Sequence, residues 1–197
     1  MSRAAEQLEW LRGSDVHGPA FDEPGSVRVV IFGAVPLSAA LCRVCRALGW
    51  DPYVVDPRER FADPGSFPDA EQVIVAWPAE ALEQLGGLDE ATAVAALTHA
   101  PELDDEALTL ALRSPAFYVG AIGSRRTQTN RCERLAAAGL TEAELARLSG
   151  PAGLDLGGRS ASEAAVAIAA EAVAARNGRD GGRLTTSDNA IHVAGGP

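Results

Sequence analysis

The residues with the most chemistry to offer lie in Gly120-Ala121-Ile122-Gly123-Ser124-Arg125-Arg126-Thr127, a strand-like run that ends in glycine and passes into a helix pattern. At a helix start, free amides, the Ser124 or Thr127 hydroxyl and two guanidinium groups converge where the macrodipole already disfavours cations. A bound anion compensates them on one reading; pairing of Arg125 and Arg126 with carboxylates of this acidic chain is the other.

In an open parallel sheet, ligands sit outside the carboxyl ends of the strands, so the residues that follow each strand pattern, Gly33, Asp56, Trp77, His99 and Gly123, form the candidate set. Gly33 and Asp56 resemble a dinucleotide fingerprint, in which a glycine turn brings pyrophosphate to a helix N-terminus and an acid about 20 residues on holds a ribose hydroxyl. Val35 and Ser38 stand where the second and third glycines belong, and Pro36 removes one phosphate-facing amide. A βαβ unit needs a tight first turn even when it binds nothing. His99, in Thr98-His99-Ala100-Pro101-Glu102-Leu103-Asp104, is placed to act as acid, base or ligand, or else to orient the next helix start with Asp104. Cys42 and Cys45 have C-x-x-C spacing inside the first helix pattern, away from the helix-start geometry that activates thiols, and read as packing residues; Cys132 stands alone. The glycines around Asp155 in Gly153-Leu154-Asp155-Leu156-Gly157-Gly158 let backbone approach a ligand, or simply connect two helices.

The elements that must position these residues alternate. Residues 27–32 form a β-branched run that Gly33 ends, and Pro36 opens a helix pattern with Leu37, Leu41, Val44 and Leu48 on one face. Further strands are expected at 51–56, 72–76, 92–98 and 116–122, with helices at 78–85, 103–113, 124–138, 141–148 and 160–176. Thr141 with Glu144 and Ser160 with Glu163 spell capping boxes at the last two helix starts. Five strands joined by helical crossovers predict an α/β, Rossmann-like, doubly wound and mostly parallel sheet covered on both faces, with additional C-terminal helices and no strand after Gly123. Residues 1–26 read as an arm, 27–178 as the domain and 179–197 as a flexible tail.

With 197 residues the chain can bury roughly 70% of the surface it exposes unfolded, enough for one core. A net charge of -10 argues against nucleic acid and an anionic membrane surface as partners. All 17 basic residues are arginine, which excludes a Schiff-base or P-loop lysine. Three cysteines, no basic-then-apolar leader and no long apolar run point to a cytoplasmic location.

Together, Gly33-Ala34-Val35-Pro36-Leu37, Val55-Asp56-Pro57-Arg58 with Phe61-Ala62, Thr98-His99, the run from Tyr118 to Thr127 and the run from Gly153 to Gly157 resemble the C-terminal Rossmann domain of the XdhC/CoxI family. These are accessory proteins of xanthine dehydrogenase and of molybdenum-containing carbon monoxide dehydrogenase. The resemblance implies a non-catalytic maturation factor that binds molybdenum cofactor (molybdopterin), protects it while its terminal sulfido ligand is installed, and delivers it to a molybdenum hydroxylase client. A cysteine desulfurase is a further implied partner, and a homodimer is left open. The implied cofactor-binding positions are Gly33, Asp56, His99, Gly123, Ser124, Arg125, Arg126 and Asp155. Longer members carry a preceding domain with cysteine motifs, which the 26 residues ahead of Val27 are expected to be too few to hold. The alternative is an NAD(P)-dependent oxidoreductase of small molecules, in which Gly33, Asp56 and a proton donor such as His99 cooperate.

Overall fold

Residues 26–187 are described by a computed structural model. Six strands form one sheet: β1 (Arg28–Phe32), β2 (Asp51–Val55), β3 (Gln72–Ile74), β4 (Thr92–Ala96), β5 (Tyr118–Ala121) and β6 (Leu148–Ser149), in the order β3-β2-β1-β4-β5-β6. Every pairing is parallel, as expected of a doubly wound Rossmann-like sheet. The helices are α1 (Pro36–Ala47), α2 (Pro78–Gln84), α3 (Pro101–Leu112), α4 (Arg125–Ala137), α5 (Glu142–Leu145) and α6 (Ala161–Arg176).

Alternation along β1 divides the core. Val29 and Ile31 face a cluster containing Leu41, Cys42 and Cys45 of α1 and Ile168, Ala169 and Ala172 of α6. Val30 and Phe32 face the opposite layer, with Ala81 of α2, Leu108 and Leu112 of α3 and Leu135 of α4. Proline at the first turn starts α1, α2 and α3, where a missing amide costs no helical bond. Side chains cap the other three: Ser124 for α4, and the two expected capping boxes for α5 and α6.

Two expectations are corrected. The sheet has six strands, not five, and the helix expected over 141–148 stops at Leu145 so that Leu148 and Ser149 can pair with Val119 and Gly120. The physical cause is Arg147, whose guanidinium donates to the carbonyls of Leu112, Ser114 and Ala116 and ties the chain beside β5. The proposed arm lies, except for Ser26, outside the described residues, and the stretch after Gly178 contains a 3-10 turn at Leu184–Thr186.

The register decides where chemistry can occur. Phe32 pairs with both Val55 and Ala96, and Ala96 pairs with Ala121, so these strands end level. Asp56, the Thr98-His99 pair and Ser124 therefore emerge at one edge of the sheet.

Candidate functional site

At the first turn, Gly33 has φ +113°, and a Cβ there would lie 2.5 Å from Thr98 Cγ2. Only glycine lets the chain leave β1 this close to the end of β4. Asp56, fully buried, accepts from the Ala34 amide at 2.8 Å, the Arg58 amide at 3.0 Å and the Arg58 guanidinium at 2.8 and 2.7 Å. Burial alone would raise this carboxyl, but Arg58 and the two amides outweigh it and hold it below the usual range. Both Asp56 oxygens are thus engaged twice, in a bidentate pair that ties the turn after β1 to the loop after β2.

The edge around β4 and β5 is organised differently. His99, Ser124, Arg126, Thr127 and Asn130 surround a cleft of about 220 Å³, with Asp104, Arg131 and Arg134 also on its walls. Ser124 accepts from the Thr127 amide at 3.1 Å, and its hydroxyl lies 2.9 Å from that of Thr127, so two hydroxyls stand at the start of α4. Beneath them Asp104, 2% exposed, accepts from the Thr98 hydroxyl at 2.6 Å and from Arg131 Nη2 at 3.1 Å. Burial pushes the Asp104 carboxyl up, against the pull of Thr98 and Arg131. Arg131 is itself buried and donates through Nη1 to the Ile122 carbonyl at 3.1 Å and to Gln128 Oε1 at 2.7 Å. Its Nε has no acceptor among the described residues. A buried N–H in that condition is rare and costs roughly 1–3 kcal/mol unless something supplies an acceptor.

The residues marked out in the sequence separate here. Gly123, with φ +142°, lets β5 turn into α4, and Ser124 caps that helix. His99 is exposed on the cleft rim, and it is Thr98 that holds the start of α3 through Asp104 and the Ala100 amide. Arg126 faces this cleft, whereas Arg125 lines a second groove shared with Asp155. Among the described residues neither arginine has a carboxylate partner. Arg134 does pair, donating to both oxygens of Asp105. Cys42 and Cys45 are buried, and burial pushes both thiols up to about 12, as suits packing residues.

Arg131 is the residue that sequence reasoning passed over. Its signal was available: Gln128, Arg131 and Leu135 recur at helical spacing on the inward face of α4, and Leu135 alone marks which face is inward. Among the described residues no group of acids, histidines and cysteines is arranged for a metal, and no helix is long and apolar enough to cross a membrane.

A model of the XdhC Rossmann domain matches residues 29–172. The chain is 27% identical over 172 residues to a probable subunit of xanthine dehydrogenase from Bacillus subtilis, covering 83% of this chain and 50% of the relative. It is 28% identical over 150 residues to the molybdenum cofactor insertion chaperone PaoD of Escherichia coli, covering 76% of this chain and 40% of PaoD. A crystal structure from Bacillus halodurans, described as a xanthine dehydrogenase, superposes with a TM-score of 0.67 at 26% identity, over 92% of this chain and 52% of that one. The chain thus spans about half the length, or less, of the relatives it matches.

Proposed function

The chain belongs to the XdhC Rossmann-domain family, and from that premise we propose that it is an accessory protein of a molybdenum hydroxylase that holds molybdopterin at the carboxyl edge of its sheet. The relatives' names supply the class: one is called a probable subunit of xanthine dehydrogenase, another a molybdenum cofactor insertion chaperone. The observation that carries the reading is the Arg126 guanidinium, which has no partner among the described residues and lines a cleft that opens at a helix N-terminus.

The donor set suits a phosphate monoester. The Ser124 and Thr127 hydroxyls, the unpaired Arg126 guanidinium and the positive end of α4 all face the cleft. Arg131 and Arg134 are neutralised by Asp104 and Asp105, which leaves Arg126 as the side chain whose charge a phosphate would offset. When bound, the cofactor supplies the molybdenum chemistry that a client hydroxylase uses; the residues of this chain bind and orient it. His99 on the rim is placed to touch the part of the ligand that leaves the cleft.

A nicotinamide dinucleotide is the weaker occupant, because Asp56 already gives its oxygens to Arg58 and Ala34 and has none directed at a ribose. The test is mass spectrometry of the ligand released from protein made in a molybdopterin-producing host. Near-stoichiometric molybdopterin is expected. Recovery of a nicotinamide nucleotide instead would overturn the reading.

A further inference from the structure

Arg131 and Arg134 both line the Arg126 cleft, and each pairs with a carboxylate from the first turns of α3. The two pairs stand in different surroundings. The side chains of Asp105 and Arg134 are 26% and 42% exposed, whereas those of Asp104 and Arg131 are each 3% exposed. Water and salt screen the first pair, so its charges act weakly on anything in the cleft. The second pair lies in a low-dielectric wall, where each charge acts strongly on its surroundings.

Stability does not account for a buried ion pair at this place. Desolvation offsets most of the attraction between two buried charges, and apolar residues of the same volume hold a fold as well. Two neutral acceptors, the Ile122 carbonyl at 3.1 Å and Gln128 Oε1 at 2.7 Å, already take the Arg131 Nη1 donors. What Asp104 adds at Nη2, 3.1 Å away, is charge as well as an acceptor, and no other carboxylate among the described residues pairs with this guanidinium. The Thr98 hydroxyl, donating to Asp104 Oδ1 at 2.6 Å, fixes the carboxylate in position. Without Asp104 the cleft wall would carry two guanidiniums that no carboxylate of the described residues offsets, Arg126 and Arg131, beside the positive end of α4.

We propose that Asp104 limits how tightly the cleft holds a phosphate: by cancelling the charge of Arg131 it leaves Arg126 to meet the ligand alone, so that the ligand can be released. The inference rests on the proposed function for the identity of the anion, and adds how the affinity of that site is set.

The test uses the full chain and inorganic phosphate as the probe, with affinity and urea unfolding measured for every variant. Asp104→Asn keeps an acceptor for Thr98 but removes the charge. It should unfold at lower urea than the wild type and yet bind phosphate roughly ten- to a hundredfold more tightly. Removing a carboxylate that merely held the fold would not raise affinity. Arg131→Gln should weaken phosphate by roughly tenfold or more. The double variant Asp104→Asn with Arg131→Gln strands no buried ion and should return to within about threefold of wild type. Asp105→Asn removes the same charge from the exposed pair and should change affinity by no more than about threefold.

Unaltered or weaker binding by Asp104→Asn overturns the proposal, as does an equal gain in Asp105→Asn, which would trace the effect to net charge. If Asp104→Asn does not fold, the double variant decides. A loss of roughly tenfold there would mean that Arg131 holds the anion itself, through the Nε–H that has no acceptor among the described residues. Each of these failures leaves phosphate bound to the wild type, and so leaves the cleft assignment standing. Phosphate bound by neither the wild type nor Asp104→Asn overturns both.

Discussion

The two halves of the sheet's carboxyl edge carry similar residues in opposite conditions. At the β1–β2 corner, Gly33, Asp56 and Arg58 have the look of a nucleotide site, yet every polar group of Asp56 is engaged within the protein. At the β4–β5–β6 side, Arg126, Arg125 and Asp155 are unpaired among the described residues and Arg131 keeps a buried N–H without an acceptor. Residue type and spacing mark both places as candidates; only the hydrogen-bond balance separates a corner that has been closed for stability from an edge still open to a ligand.

That contrast breaks first at the buried pair beneath the cleft. Asp104→Ala strands the Arg131 guanidinium in the interior and should cost about 3–5 kcal/mol, measured by urea unfolding; a loss below about 1 kcal/mol would mean that Arg131 reaches water and that its unpaired Nε carries no weight. Next comes Gly33→Ala, which forces a side chain into a positive-φ turn against Thr98. A loss of about 2–4 kcal/mol is expected from strain and crowding together, and an unchanged unfolding midpoint would show a turn with room for a side chain.

Asp56→Asn should remove about 2 kcal/mol at neutral pH, and its pH signature is the sharper test. Because the native carboxyl titrates below its ordinary value, the unfolded chain takes up the proton first as pH falls. The stability this carboxylate contributes is therefore complete above about pH 4 and is lost as pH drops through the native value. The variant should lose less stability than the wild type between pH 5 and pH 2, approximately; parallel acid profiles would contradict the engaged state of Asp56. Smaller still, Cys42→Ala and Cys45→Ala should each cost about 1 kcal/mol of packing and leave ligand affinity within about threefold, as read by titration of folded protein.

Much of the architecture was legible because it rests on local rules. The β-branched run ending at Gly33 and the capping boxes at Thr141 and Ser160 declare themselves within a few residues of chain. β6 was not legible, since two residues carry no period and their pairing depends on Arg147 reaching carbonyls more than thirty residues away. The buried charge of Arg131 was hidden by the sound expectation that arginines face water; its partner Asp104 lies 27 residues earlier, on another helix. Arg125 and Arg126 look like one doubled site in the sequence, but neighbouring helical residues point about 100° apart, which sends them into different clefts.

Most depends on the cleft at the start of α4 taking the phosphate of molybdopterin, with Arg126 as the cation that the phosphate finds there. Arg126 is exposed and has no partner among the described residues, so Arg126→Ala should change stability by no more than about 0.5 kcal/mol. The decisive measurement is the affinity of wild type and Arg126→Ala for molybdopterin and for its dephosphorylated form. Wild type should prefer the phosphorylated ligand by roughly ten- to a hundredfold, and the variant should lose that preference. Equal binding of the two ligands by wild type, or a preference that survives in the variant, would contradict this assignment.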